Sequence, residues 1–86
     1  MIARIERRNI VLQEASNYWE LRSVLDNVNQ ILLSRKYKPT YFFQGTPVIG
    51  QGGFSVIIKL DRELTEEDVR ILKRILSSSG INVVIK

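Results

Sequence analysis

The spacing of apolar residues near the start of the chain predicts two short strands joined by a turn. Segment 2–12 has apolar residues at both ends and a polar stretch at 6–9, which is the pattern of a β-hairpin. We expect Asn9 to adopt a positive φ in this turn, because no glycine is available there. One continuous helix is the alternative, since apolar residues also recur at a spacing of seven.

Two helices are predicted from their caps and apolar stripes. The first spans about 17–35 and begins at Asn17, with Glu20 at the spacing of a capping box. The second begins after Thr65, has acidic residues in its first turn, and ends near Gly80. Each helix carries one apolar stripe, so both helices are expected to cover the same face of one sheet.

The remaining apolar segments predict the other strands and the fold class. Segment 41–49 contains Gly45 and Pro47, which indicate a bulge or an edge strand, whereas segment 54–60 alternates and a last strand follows Gly80. Segments 46–49 and 54–60 are either two strands or one strand with a long bulge. The expected fold is α/β (α+β): a two-layer sandwich in the order β-β-α-β-β-α-β, with one mixed sheet and two helices on one face. Helix-linked strands are expected to pair in parallel.

Composition narrows the function more than the fold. The 86 residues fit a single domain, 1–86, and contain 13 Lys and Arg against nine Asp and Glu, a net charge of +4. Cysteine and histidine are absent, which excludes disulfides, thiol nucleophiles and the usual zinc ligands. We expect no catalytic residues, no cofactor and no metal. We also expect a cytoplasmic chain without membrane insertion, because no leader or long apolar span is evident.

The basic residues form three groups along the sequence. Solvated surface charge explains such groups without any ligand, and an acidic protein, an anionic membrane surface or a nucleic acid could also bind them. The groups are Arg4, Arg7 and Arg8, then Arg35, Lys36 and Lys38, then Arg70, Lys73 and Arg74.

Two further interpretations depend on the glycine and aromatic residues in the middle of the chain. Gly50-Gln51-Gly52-Gly53 has the G-x-x-G spacing of KH domains and, with the aromatic residues at 41–43, raises the alternative of a nucleic-acid-binding module. A strand is predicted after this loop, where KH domains have a helix, and this favours a hairpin turn. The other alternative is a self-associating scaffold, in which an exposed edge at 41–49 pairs with a second copy as a homodimer.

Three short motifs follow one another in an order typical of one protein family. They are Phe43-Gln44-Gly45-Thr46-Pro47-Val48, Arg62-Glu63-Leu64-Thr65-Glu66-Glu67 and Gly80-Ile81-Asn82-Val83-Val84. With the first hairpin and first helix, this order resembles the N-terminal domain of the bacterial septum-site-determining MinC proteins, over about residues 2–86. The chain departs from the family at the 50–53 glycine loop, and in its first turn, where the family often has Lys-Gly.

The resemblance implies a non-enzymatic inhibitor of cell division that uses no cofactor. In that family this domain binds FtsZ and antagonises its filaments, so that no septum forms at the wrong place. In the family a separate C-terminal β-helical domain binds MinD. We expect that domain to lie outside these 86 residues, so MinD binding is expected only through it. The first turn of the family is tied to FtsZ inhibition. The resemblance therefore implies partner-binding residues at Arg7, Arg8 and Asn9, with Arg8 in place of the family's lysine.

Overall fold

A five-stranded mixed sheet carries two helices in the computed structural model, which describes residues 1–44 and 54–86. The fold class and the order of elements agree with the prediction, and segment 2–12 is a hairpin and not a helix. The predictions for Gly45, Pro47 and the 50–53 glycine loop lie outside the described residues. The elements are β1 (Ile2–Ile5), β2 (Asn9–Ala15), α1 (Tyr18–Ser34), β3 (Thr40–Gln44), β4 (Phe54–Lys59), α2 (Glu66–Ser78) and β5 (Asn82–Ile85).

The strand order differs from the expected parallel pairing. The sheet has the order β3-β4-β2-β1-β5, and β1 with β5 is the parallel pair among the described strands. Helix-linked strands do run in the same direction, but β4 lies between β2 and β3, and both β2 and β1 lie between β4 and β5. The prediction that helix-linked strands pair directly is therefore wrong. The reason is that β4 turns back antiparallel to β3 and occupies the place beside β2.

One face of the sheet and both helices enclose the core. The strand registers align Ile10 with Ile58 and Leu12 with Val56, so the buried residues of neighbouring strands share a face. Both helices contribute to the same buried cluster and contact each other, which places them on that face together. The helix residues in the cluster are Leu21, Val24, Leu25, Val28 and Leu32 from α1 and Leu72 and Leu76 from α2.

A β-bulge at Glu14 keeps the end of β2 on the core face. Glu14 has a φ of 60°, and the register between β2 and β4 shifts between Leu12 and Ala15. Residues three apart in a regular strand point to opposite faces, so the extra residue returns Ala15 to the side of Leu12. Ala15 is completely buried as a result.

Side-chain caps begin both helices at the predicted residues. Asn17 accepts a hydrogen bond from the Glu20 N–H at 2.8 Å, and Thr65 Oγ1 accepts one from the Asp68 N–H at 3.2 Å. The predicted capping box is wrong in one detail. The Glu20 carboxylate accepts from the backbone and hydroxyl of Ser16, one residue before the cap.

A residue with left-handed backbone follows the C-cap of each helix. Gly80 has a φ of 80°, as its predicted position after α2 requires, and Lys36 has a φ of 66° after α1. The residue after each of them donates a backbone hydrogen bond to the helix: the Tyr37 N–H to the Leu32 carbonyl, and the Ile81 N–H to the Leu76 carbonyl. This geometry turns Tyr37 and Ile81 into the core, where both are buried. In the parts of the chain that the structure describes, neither helix has the length and apolar character to cross a membrane.

Candidate functional site

The three residues implied by the MinC resemblance lie in the β1–β2 turn and at the start of β2. The Glu6 N–H donates to the Asn9 carbonyl at 2.8 Å, and the reversal between them exposes Arg7 and Arg8. Asn9 is the first residue of β2, paired with Lys59, and half-buried. The positive φ expected at Asn9 is wrong, because the chain reverses over the three residues before it.

The segment between β4 and α2 fixes the backbone of this turn. The N–H groups of Leu60 and Leu64 donate to the carbonyls of Arg8 and Arg7, both at 2.8 Å. The Arg8 guanidinium donates through Nη2 to the Asp61 carbonyl at 3.1 Å. The turn is thus held by backbone bonds to a second loop, while the Arg7 side chain stays exposed.

A third loop joins the same end of the sheet through Asp61. The Lys38 N–H donates to the Asp61 carboxylate at 2.9 Å, and this hydrogen bond is the main reason that the pKa of Asp61 lies below its ordinary value. The carboxylate is therefore charged at neutral pH and oriented toward the Lys38 backbone. We call Arg7, Arg8, Asn9, Lys38 and Asp61 the turn surface. It carries three cations and one anion that is already hydrogen-bonded.

In the second predicted basic group (Arg35, Lys36 and Lys38), Arg35 forms ion pairs with acidic residues of α2. Arg35 donates through Nε to the Asp68 carboxylate at 2.6 Å, and its Nη2 lies 3.2 Å from Glu67. Asp68 also accepts from the Tyr37 hydroxyl at 2.5 Å, and both Asp68 and Tyr37 are buried. Arg35 is therefore a structural residue that links the end of α1 to the start of α2.

This network was missed by sequence reasoning, although one signal was present. Asp68 precedes Leu72 and Leu76 at intervals of four, so it lies on the buried side of α2. An acidic residue on an apolar stripe requires a buried donor, and Arg35 and Tyr37 supply it. An open cavity of about 420 Å³ lies beside the network, between the start of α2 and the end of α1.

The remaining basic residues do not gather at one place. Arg4 lies on the open face of the sheet, with Nε 3.4 Å from the Glu6 carboxylate. Arg70, Lys73 and Arg74 are exposed on α2, as predicted. Asp61 therefore joins Arg8 with Lys38, and no hydrogen bond or ion pair among the described residues links either of them to the helix group.

Aromatic residues cluster at the opposite end of β3 from Thr40. Tyr18 makes edge contacts with Trp19 and Phe54, with ring centroids 5.8 Å and 6.5 Å apart. Both Tyr18 and Trp19 are exposed, Trp19 by 77%. An apolar cavity of about 250 Å³ lies between Tyr18, Phe43 and Phe54.

Within residues 1–44 and 54–86, no cluster of acidic side chains is placed to hold a metal ion. Comparisons with protein-family models, curated proteins and solved structures gave no match.

The stability gap between the wild-type protein and Asp68→Asn is expected to narrow as the pH falls. Burial raises the pKa of Asp68, but hydrogen bonds from Tyr37, Thr65 and Arg35 outweigh it and leave the pKa below the ordinary 3.8. A depressed carboxyl pKa stabilises the fold above 3.8, and this stabilisation is lost as the pH falls through the lower folded value. Urea unfolding at neutral pH and below 3.8 measures the gap, and a gap that widens in acid would contradict the network.

Proposed function

We propose that this chain is a non-enzymatic, cytoplasmic domain that binds FtsZ and antagonises its filaments, and so prevents misplaced septa. The proposal starts from the resemblance of three ordered motifs to the N-terminal domain of MinC. The mixed sheet with two helices on one face is compatible with it. The observation that carries the proposal is the β1–β2 turn, which presents Arg7 and Arg8 on a braced backbone.

The hydrogen bonds that fix the backbone of this turn favour binding, because a loop that is already ordered loses little conformational entropy when it docks. Three hydrogen bonds join the turn to the segment after β4: the N–H groups of Leu60 and Leu64 donate to the turn, and the Arg8 guanidinium donates to the Asp61 carbonyl. An isolated turn of this length would otherwise sample several conformations. The turn surface is thus suited to contact a partner without first reorganising.

Charge gives this surface its selectivity for acidic partners. The Arg7 side chain has no ion pair among the described residues, and the Asp61 carboxylate is occupied by the Lys38 N–H. Cations at the edge of an interface raise the rate of encounter with an acidic partner and make it sensitive to salt. In this proposal the turn surface docks on an acidic region of FtsZ and thereby weakens the contacts that hold a filament together.

Nucleic-acid binding has less support from the described residues. The glycine loop at 50–53, on which that alternative depends, lies outside them. Arg35, from the second basic group, is bound to Asp68 and Glu67. A salt-sensitive mobility shift of short RNA or single-stranded DNA would favour the alternative, and its absence is expected.

Arg7→Glu is expected to weaken the effect on FtsZ by about tenfold, equivalent to roughly 1.4 kcal/mol of binding free energy. The readout is the amount of polymer that sediments when FtsZ assembles with a stoichiometric excess of the domain. Arg7 makes no side-chain hydrogen bond or ion pair with the described residues, so the variant is expected to fold normally.

Arg74→Glu is the matched control, with the same charge change at an exposed position on α2. It should antagonise FtsZ as the wild type does. Equal loss in both variants would mean that net charge, and not the turn surface, governs the interaction. Unchanged polymer with the wild-type domain in excess would refute the proposed function itself.

A further inference from the structure

β3 is an edge strand of the sheet formed by residues 1–44 and 54–86. β3 has the sequence Thr-Tyr-Phe-Phe-Gln and pairs with β4 along one side over all five residues. Among the described residues no strand pairs with its other side. Such an edge presents a row of unpaired backbone donors and acceptors, which another strand can satisfy.

The side chains of β3 do not protect this edge. Natural edge strands commonly avoid association with lysine, proline, bulges or very short length, and Thr40–Gln44 has no charged residue and no proline. Its central residues are large and apolar: Phe42 is 46% exposed and Phe43 is 60% exposed. An additional strand would cover both rings.

We propose that β3 pairs antiparallel with β3 of a second copy of this chain, forming a symmetric dimer with one continuous ten-stranded sheet. A two-fold axis through Phe42 sets Phe42 opposite its own copy and Tyr41 opposite Phe43 of the copy. The ends then match as well, with Thr40 opposite Gln44. The strand is therefore complementary to itself, as a symmetric interface requires.

In the proposed dimer, aromatic side chains of the two β3 strands lie opposite one another on both faces of the sheet. Tyr41 and Phe43 are on the helix side, because they pair with the buried residues Ile58 and Val56 of β4. Tyr41 is already held there by a hydrogen bond from its hydroxyl to Asn29 of α1. Aromatic pairs directly across antiparallel strands stabilise sheets, and the proposed register contains three.

The charged residues near β3 do not oppose its pairing with a second copy. Arg22 and Asp26 lie on the same side of α1 as Asn29, and they form an ion pair at 3.3 Å. On the open face, the Lys59 ammonium lies 5.1 Å above the Phe42 ring, in a cation–π contact. The surface that would meet its own copy therefore has no cluster of like charges among the described residues.

The alternative edge is less suitable. β5 has four residues, and its exposed side chains Val84 and Ile85 are smaller than phenylalanine rings. The dimer does not depend on the proposed function, because β4 and β2 separate β3 from the β1–β2 turn. Arg7 and Arg8 of both copies would remain free, whereas Lys38 of the turn surface lies two residues before β3.

Sedimentation equilibrium from micromolar to millimolar concentration tests the proposal. The wild-type mass is expected to rise from 10.0 kDa toward twice that value. Phe42→Lys should raise the dimer dissociation constant by about tenfold or more, because an edge lysine faces its own copy. Higher salt should strengthen the wild-type dimer, since each copy carries a net charge of +4.

Val84→Lys is the matched control. Val84 occupies the same row across the sheet as Phe42 but on the opposite edge, with 43% exposure against 46%. It should dimerise as the wild type does, and Phe43→Lys provides a second test on the other face of β3. The proposal is overturned if the wild type stays monomeric, if both β3 variants dimerise normally, or if Val84→Lys alone dissociates.

Discussion

Asp68→Asn is expected to lower the free energy of unfolding by about 3 kcal/mol. The Asp68 carboxylate is 4% exposed and accepts hydrogen bonds from the Arg35 guanidinium and the Tyr37 hydroxyl. The asparagine amide would leave one of these donors without an acceptor and remove the charge that faces Arg35. Breaking a buried ion pair costs far more than breaking an exposed one, because the remaining partner is not solvated.

Glu67→Gln is the control for Asp68→Asn. Glu67 contacts the same guanidinium at 3.2 Å, but its side chain is 73% exposed. Exposed ion pairs contribute little, so this variant should cost less than about 0.5 kcal/mol. Urea unfolding followed by far-UV circular dichroism measures both variants. Similar losses for the two would show that the contacts of Asp68 with Arg35 and Tyr37 do not stabilise the packing of the two helices.

Leu72→Ala is expected to destabilise the protein by about 3 kcal/mol. Leu72 of α2 is completely buried in the cluster that also contains α1 and sheet residues such as Ile58. Truncation removes burial of the side chain and leaves a cavity between three packed elements. A domain of this size has only about 4–13 kcal/mol of stability in total, so the variant should unfold at much lower urea.

Leu33→Ala is the matched control for Leu72→Ala, because it makes the same substitution in a helix at a side chain that is 56% exposed. Alanine has a slightly higher helix propensity than leucine, so the expected change in stability is close to zero. If Leu72→Ala were as mild as Leu33→Ala, α2 would not pack on the same face of the sheet as α1.

Local signals in the sequence were sufficient to predict the helices. Asn17 and Thr65 act as side-chain caps, and the interval of three or four between apolar residues follows directly from helical geometry. Gly80 ended α2 as expected because only glycine adopts its backbone conformation without strain. Lys36 adopts the same left-handed conformation after α1, and a lysine at this position gives no sequence signal from which that conformation could be predicted.

Sheet order could not be predicted in the same way. Pairing of β4 with both β2 and β3 joins residues that are distant in sequence, and the apolar alternation of β4 is equally compatible with several neighbours. The buried network was missed for a related reason. Asp68 and Arg35 are 33 residues apart, and each has a sufficient local explanation, as a first-turn acid and as a surface cation.

The candidate site was predicted in part. A polar turn at 6–9 places Arg7 and Arg8 at the end of a hairpin, and the structure agrees. The bracing by Leu60 and Leu64, and the approach of Lys38 through Asp61, depend on loops that meet only in the folded protein. Partner-binding roles for Arg7, Arg8 and Asn9 therefore remain predictions from the resemblance.

Direct titration of the fluorescently labelled domain with FtsZ tests whether the two proteins bind. Fluorescence anisotropy should rise to saturation as FtsZ is added, and the midpoint should move to higher FtsZ concentration with added salt, because charged side chains on the turn surface guide the encounter. An anisotropy that stays at the value of the free domain up to a large excess of FtsZ would contradict the account.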